Sequence, residues 1–184
     1  MKNDIEKARR SAKENIERIK KEIPPQLDGR IAEFFDYFKQ SFFTPLASLQ
    51  TLYDFMDELN EFISKYTACQ KGCDPCCHIK LPISSLEARY IQLRTGIPYR
   101  DKPIGVVKVN TPCPFLEDHC CSIYQYRPYA CRQHHALFNP KWYQVELCND
   151  LYSSQARVSE VEASYKYLVK SSNSALHDIR AFFA

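Results

Sequence analysis

Glycine is scarce in this sequence, with only four residues in 184, and two kinds of nucleotide-binding segment are missing with it. No GxGxxG segment is present, and neither GKS nor GKT occurs. Such segments bring backbone amides against phosphate groups, and glycine is what allows that close approach. Their absence argues against a dinucleotide-binding domain and against a phosphate-binding loop.

The chain also has no apolar run of the length that crosses a membrane. Residues 1–23 are charged throughout and contain no apolar core segment of the kind found in export signals. We therefore expect a cytoplasmic protein without membrane association. The net charge is +3 and basic residues are interleaved with acidic ones, so nucleic-acid binding is not indicated.

Cysteine is absent from the first 68 residues and concentrated after them. Four of the nine cysteines fall within CQKGCDPCC (69–77), and the other five lie between Cys113 and Cys148. Disulfides persist in oxidising compartments, so clustered cysteines in a cytoplasmic chain favour metal binding or redox chemistry. Nine is also an odd number, which excludes complete pairing within the chain.

Helical periodicity dominates the sequence before the cysteines. Apolar residues at spacings of three and four predict helices over 4–22, 30–40 and 44–66. The third begins with Thr44 as a cap and Pro45 in the first turn, where the missing proline amide costs nothing.

The sequence after the first cysteines predicts shorter elements. Ser84 and Glu87 form a capping box that opens a helix, and Gly96 is placed to end it. CPFL and CSIY flank the turn-prone EDH and predict a small hairpin, while 104–109 is a strand candidate. The pattern after Trp142 predicts two helices, the second of which carries Ala175, Leu176, Ile179 and Phe182.

These elements predict a mainly α, helical bundle-like domain that encloses a cysteine-rich metal centre with a small β-hairpin. We divide the chain into an N-terminal helical segment (1–66) and a cysteine-cluster metal-binding region (67–150). The remainder (151–184) is predicted to form C-terminal helices that pack on the same domain.

The spacing of the first cysteines brings several thiols to one side of a turn. They stand at separations of four, three and one: Cys69, Cys73, Cys76 and Cys77. Asp74-Pro75 predicts a short helix with Cys76 and Cys77 in its first turn. Arg127-Pro128 predicts another that carries Cys131. The free amides of a helix start stabilise a thiolate or an anionic cluster.

An all-thiolate site suits zinc, an iron–sulfur cluster or copper(I). Structural zinc usually has two short Cys-x-x-Cys pairs, whereas the downstream cysteines here are widely spaced. That distribution indicates ligands collected by the fold, and it is not the spacing of bacterial ferredoxins. The first three cysteines match the spacing of radical SAM enzymes, but this chain is too short and too helical for their barrel.

Four stretches together resemble one known family: CQKGCDPCC (69–77), the LPISSLEA that follows, CPFLEDHCCSIY (113–124) and RPYACR (127–132). Over roughly 69–150 the chain resembles the YkgJ-type cysteine-cluster family, a zinc- or iron-chelating domain with a CxxCxxCC signature. The resemblance implies an iron–sulfur cluster or zinc held by eight cysteines: Cys69, Cys73, Cys76, Cys77, Cys113, Cys121, Cys131 and Cys148. The chain departs from the pattern in its additional Cys120 and in the three residues between its first two cysteines.

Cys120 and Cys121 are adjacent, so in a hairpin strand their side chains point to opposite faces. The family pattern has the ligand directly before Ser122, which selects Cys121. In the competing interpretation Cys120 is the ligand and Cys121 packs as a small buried hydrophobe. Arg127 and Arg132 are candidates for cofactor binding, as donors to sulfur that offset its charge, or else they are solvated surface residues.

Two classes of function stay open. In the first, the chain is a metalloprotein whose partner is a metal ion or cluster, with a role in redox chemistry, metal handling or sensing. In the second, it is an enzyme or an accessory subunit that modifies a protein or peptide, because a related cysteine pattern occurs in flagellin lysine methylases. No motif for S-adenosylmethionine or a nucleotide is visible, which favours the first. A protein partner also stays open.

Overall fold

The computed structural model of the chain describes residues 2–40, 44–105, 111–138 and 157–183. It is mainly helical, as predicted, with two small antiparallel sheets. None of the described helices combines the length and the apolar character that crossing a membrane requires.

Three long helices come first along the chain: α1 (Lys2–Glu22), α2 (Pro25–Gln40) and α3 (Pro45–Ile63). The periodicity predicted all three, but α2 begins five residues earlier than expected. Pro25 is the first residue of α2, where no backbone donor is needed, so the helix begins ahead of the apolar periodicity that predicts it.

The start of α3 matches its prediction in detail. The amide of Ala47 donates to Oγ1 of Thr44 at 3.3 Å, and Pro45 occupies the first helical position. A 3-10 helix, Ser64–Tyr66, continues α3 as far as predicted and delivers the backbone to Cys69.

Helix α4 (Ser85–Thr95) has both predicted ends. Oγ of Ser84 accepts from the amide of Glu87 while the Glu87 carboxylate accepts from the amide of Ser84, which completes the capping box. Gly96 ends the helix at φ 77°, a conformation that a residue with a Cβ rarely adopts.

The predicted hairpin is present. Strand β2 (Leu116–Glu117) pairs antiparallel with β3 (Cys120–Cys121), with Leu116 opposite Cys121. The two turn residues between them, Asp118 and His119, have positive φ values of 45° and 60°, as a tight two-residue hairpin turn requires. Helix α5 (Tyr129–Gln133) follows and carries Cys131 in its opening turn.

The C-terminal region differs from its prediction. After α6 (Ser159–Ser171), residues Leu176–Asp178 form strand β4, which pairs with β1 (Pro82–Ser84). The expected helix begins only at α7 (Ile179–Phe182), because Asp178 caps it by accepting from the amide of Arg180 at 3.0 Å.

Two other predicted elements fall largely beyond the description. Ile104 and Gly105 are not in a strand, and the rest of the 104–109 candidate lies outside the described residues. The helix expected from Trp142 is likewise outside them up to residue 156.

The buried side chains form two clusters. The larger, here called the helical core, comprises Ala8, Ala12, Leu27, Phe34, Phe38, Leu49, Leu52, Tyr53, Phe55, Met56, Leu59, Phe62, Ile63, Tyr66, Ala68, Leu86, Tyr90, Tyr129, Ala136, Leu137, Phe138, Val161 and Leu168. The smaller, here called the cysteine core, comprises Leu81, Ile83, Ala88, Ile91, Cys113, Phe115, Ile123, Ile179, Phe182 and Phe183. Helix α4 contributes to both and forms the wall between them.

Glu87 joins this wall to three other helices. Its side chain is fully buried, and its carboxylate oxygens accept from the hydroxyls of Tyr53 on α3 and Tyr165 on α6 at 2.8 and 2.6 Å. The same carboxylate accepts from the backbone amide of Tyr129 at 2.8 Å, which fixes the start of α5 two residues before Cys131.

Candidate metal centre

The first cysteine group lies on a tight turn and a 3-10 helix that follow α3. Gly72 makes the turn at φ 86°, and the amide of Cys73 donates to the carbonyl of Gln70. The 3-10 helix covers Pro75–Cys77, and Asp74 does not cap it through its side chain. The carboxylate of Asp74 instead contacts Nδ1 of His119 at 2.8 Å, which ties the hairpin turn to this segment.

Five thiols from four segments line one pocket in the cysteine core. They are Cys76, Cys77, Cys113, Cys121 and Cys131. The pocket volume is ≈ 20 Å³, and apolar side chains such as Leu81, Phe115 and Ile179 complete its wall. All five cysteines had been predicted as ligands, and the fold brings them together although they are separated by up to 55 positions.

Backbone hydrogen bonds hold these segments in place. The amide of Cys113 donates to the carbonyl of Cys77 at 2.8 Å, which joins the second cysteine segment to the first. The amide of Ser122 donates to the carbonyl of Phe115 at 2.8 Å across the hairpin, beside Cys121.

Cys69 and Cys73 form a separate pair beside the pocket and do not line it. A hydrogen bond between their thiols, together with burial, raises the pKa of Cys69 well above its usual range. Sγ of Cys69 also accepts from the backbone amide of Ala136 at 3.4 Å, so the loop after α5 positions this thiol.

The two remaining cysteines are Cys120 and Cys148. Cys120 is described, partly exposed and not among the residues that line the pocket. Cys148 lies outside the described residues. The eight described cysteines are all free thiols.

Burial makes most of the pocket's thiols poor acids. It raises the pKa of Cys113 to about 11 and raises the pKa values of Cys121 and Cys131 as well, and neighbouring thiols add to each shift. A hydrogen bond between the adjacent thiols lowers the pKa of Cys76 and raises that of Cys77. Ionising several thiols together therefore needs a positive charge in their midst.

Arg127 lies beside the sulfurs. Its guanidinium offsets part of the effect of burial on the pKa values of Cys121 and Cys131, and it stacks on the ring of Tyr124 at 4.1 Å. Its Nε is buried, and no group in the described part of the chain accepts a hydrogen bond from it. Arg127 is not among the residues that line the sulfur pocket, but its charge acts on Cys121 and Cys131 and its Nε is an unpartnered donor.

Arg132 has other partners. Its buried guanidinium donates to the carbonyls of Arg127 and Gln125 and pairs with Asp57, and it lies 4.3 Å from the ring centre of Tyr53. It is not among the residues that line the sulfur pocket. Its described contacts hold the chain just before Cys131, and its predicted role in cofactor binding stays a prediction.

Sequence reasoning missed one residue of this pocket, Arg180 on α7. It is 4% exposed and pairs with Asp178 at 3.0 Å. The available signal was an Asp-x-Arg pair within the apolar C-terminal stretch LHDIRAFF, where an unpaired charge would be costly to bury.

The donor set fits a thiophilic metal, because clustered thiolates are the ligands that zinc and iron–sulfur iron take in proteins. The spacing of these ligands is less suited to a metal than their chemistry. Within the described ranges, no three side chains from His, Cys, Asp and Glu stand close enough to hold one metal ion. Five sulfurs line a small pocket, and the Arg127 cation acts on two of them. These features fit a site in which the ligands come into place only when a metal binds.

Comparison with known proteins agrees with this donor set. The sequence model of one family, described as "Putative zinc- or iron-chelating domain" with the signature CxxCxxCC, matches residues 68–163, just over half of the chain. No curated protein and no solved structure matches the sequence. The matched range includes every thiol of the pocket, and the chain belongs to the CxxCxxCC family.

Proposed function

We propose that the chain is a metal-handling protein that holds a single zinc or iron ion through thiolates of the sulfur pocket. The observation that carries the proposal is the convergence of five thiols on one pocket of ≈ 20 Å³. That volume corresponds to about one water-sized sphere, which suits one ion better than a multi-iron cluster.

The chain's own residues would act in three ways. Cys76, Cys77, Cys113, Cys121 and Cys131 supply sulfur ligands, one more than a tetrahedral ion uses. A bound ion supplies the positive charge that lets these largely shielded thiols ionise. Arg127 offsets the remaining negative charge, and its unpartnered Nε is available as a donor to sulfur.

The surplus of thiols supports handling over a purely structural role. A closed structural zinc site usually has four protein ligands and no spare one. Here a fifth thiol shares the pocket and the Cys69–Cys73 pair lies beside it, so an ion can exchange one sulfur for another.

An iron–sulfur cluster is the second candidate. The number of thiols favours it, since the pocket and the adjacent pair together offer seven sulfurs. It would require the sulfurs to move apart, because a cluster with several iron and sulfide atoms exceeds the pocket volume.

Metal analysis of protein purified without oxygen or chelators tests the proposal. We expect about one zinc or iron per chain, no acid-labile sulfide and little visible colour. Stoichiometric sulfide with a brown colour would select the cluster instead. Folded, metal-free protein in which all nine thiols titrate freely would contradict both.

The adjacent cysteines of the hairpin provide a matched pair of variants. Cys121 lines the pocket and Cys120 does not, so Cys121→Ser should lower metal affinity strongly while Cys120→Ser retains it. Equal loss in the two variants, or loss in Cys120→Ser alone, would reject Cys121 as the ligand.

A further inference from the structure

The last described residues of the chain contribute to the sulfur pocket, although the family match ends at residue 163. Strand β4 pairs with β1, with His177 opposite Ile83. Phe183 packs against Phe115 with a ring-centre distance of 4.9 Å. The segment Leu176–Phe183, here called the C-terminal clasp, therefore covers the cysteine core from outside the matched region.

Arg180 is the buried centre of this clasp. Nη2 donates to the carbonyl of Cys77 at 2.9 Å and Nη1 to that of Ile79 at 3.1 Å. Nε donates to the carbonyls of Thr111 and Pro112 at 2.6 and 3.2 Å. One guanidinium thus holds carbonyls from the two segments that carry Cys77 and Cys113.

Asp178 anchors the guanidinium and extends the contact. Its carboxylate pairs with Nη1 of Arg180 at 3.0 Å and accepts from the amide of Leu81 at 2.9 Å. The amide of Ile179 donates to the carbonyl of Leu81 at 2.9 Å. The segment after Cys77 is therefore held at both ends by the clasp.

These contacts exploit a property that lysine lacks. A guanidinium presents five N–H donors in a rigid planar fork, so acceptors on two separate segments must keep a fixed spacing. A buried cation is costly unless it is paired and hydrogen-bonded, and here the carboxylate and the carbonyls provide that compensation. Packing alone would be served as well by an apolar residue.

We propose that Arg180 is a positioning residue for the metal centre, which sets the separation of the segments that carry Cys77 and Cys113. The inference rests on the proposed function for the metal itself, but the backbone contacts exist without it. Groups that orient metal ligands in this way typically contribute 10–100-fold to metal affinity, so we expect roughly that loss when the fork is removed.

The test compares Arg180→Lys with the wild type in the full chain. We expect zinc affinity, measured by competition with a chromogenic chelator, to fall about 10–100-fold. In metal-free protein we expect Cys77 and Cys113 to be alkylated faster, as followed residue by residue by mass spectrometry. Cys69 does not line the pocket that Arg180 lines, and its thiol is positioned by the amide of Ala136, so it should keep its rate.

Arg132→Lys is the matched control, because Arg132 is a similarly buried guanidinium with carbonyl and carboxylate partners on other segments. It should lower folding stability without selective alkylation of Cys77 and Cys113. If Arg180→Lys raises the alkylation of all thiols equally, or leaves both affinity and alkylation unchanged, the inference is wrong.

Two further outcomes separate the inference from the function on which it rests. Wild-type protein that binds no zinc or iron would contradict the proposed function, while selective alkylation would still support the positioning role. If Arg180→Lys does not fold, Asp178→Asn keeps the carbonyl contacts of the guanidinium and weakens its anchor. That variant should show the same selectivity to a smaller degree, and unselective alkylation would overturn the inference.

Discussion

The helical core takes most of its residues from α1, α2 and α3, which have 21, 16 and 19 residues. The cysteine core takes most of its residues from loops, strands of two or three residues and the four-residue α7. A long helix satisfies its own backbone groups, whereas short elements leave carbonyls that need other donors. In the cysteine core a buried arginine, Arg180, provides those donors, and the thiols are the proposed metal ligands.

The two regions differ in how far they depend on a ligand. The helical core is closed by apolar contacts that are complete in the chain itself. The cysteine core adds two features to a smaller apolar cluster. Its thiols cannot ionise together without a cation among them, and its buried ion pair is costly unless it is hydrogen-bonded. We expect the first region to fold independently of metal and the second to be stabilised by it.

The largest expected effect comes from the residue that joins the two regions. In Glu87→Gln an amide NH₂ replaces one of the oxygens that accept from Tyr53, Tyr129, Tyr165 and Ser84. A donor then faces donors in a fully buried site, so the free energy of unfolding should fall by roughly 3 kcal/mol. Urea unfolding measures it.

Tyr53→Phe is the control for this change. It removes one of the two donors to Oε1 of Glu87 and leaves the amide of Tyr129 in place. It should cost about 1 kcal/mol. A loss in Glu87→Gln no larger than that in Tyr53→Phe would show that Glu87 does not couple the helices.

The next effect is the removal of metal, which should separate the two regions. For metal held at 100 times its Kd, binding stabilises the site by about 2.7 kcal/mol, equivalent to about 100-fold in the exchange of dependent amides. We expect chelation to accelerate hydrogen exchange at two amides of the cysteine core. That of Cys113 donates to the carbonyl of Cys77, and that of Ile179 donates to the carbonyl of Leu81. Amides within α3 should keep their rates. Uniform acceleration in both regions would contradict the division.

The same contrast explains what the sequence could predict. Long helices leave an apolar periodicity in the sequence, so α1 and α3 could be predicted. Helix α1 begins two residues before its predicted start and ends at its predicted last residue. Helix α3 begins one residue after its predicted start, and the 3-10 helix that continues it reaches the predicted end. The capping box of Ser84 and Glu87 lies within four consecutive residues, so the sequence predicts it equally well. The antiparallel pairing of β1 with β4 joins three-residue strands far apart in the chain, and no local pattern marks it.

The site divides in the same manner. Cys76 and Cys77 stand in a visible cluster of cysteines, whereas Cys113, Cys121 and Cys131 were named as ligands because the resemblance to the cysteine-cluster family implies them. Arg180 was not named, because its acceptors are mostly backbone carbonyls, which leave no trace in side-chain spacing. Arg132 was named as a candidate from its position near Cys131; its described partners include Asp57 on α3, and its role toward sulfur stays a prediction.

The smallest expected effect is a pH dependence of folding stability that arises beside the helical core. His135 precedes Ala136, Leu137 and Phe138 of the helical core, and its Nε2 lies 2.7 Å from Oδ1 of Asn60 on α3. Burial, reinforced by the nearby charge of Arg127, lowers the pKa of His135 from 6.5 to about 4. Between these values the unfolded chain binds a proton that the folded chain does not, so stability is full above pH 6.5 and falls as the pH decreases toward 4. From pH 7 to 5.5 we expect the free energy of unfolding to fall by about 1 kcal/mol in chelator-treated protein.

His135→Gln is the control for this prediction. Its side chain stays neutral and should lack this part of the loss, while carboxylates and other histidines titrate alike in both proteins. Equal pH dependence of urea unfolding in the two proteins would show that His135 is not held neutral by the fold.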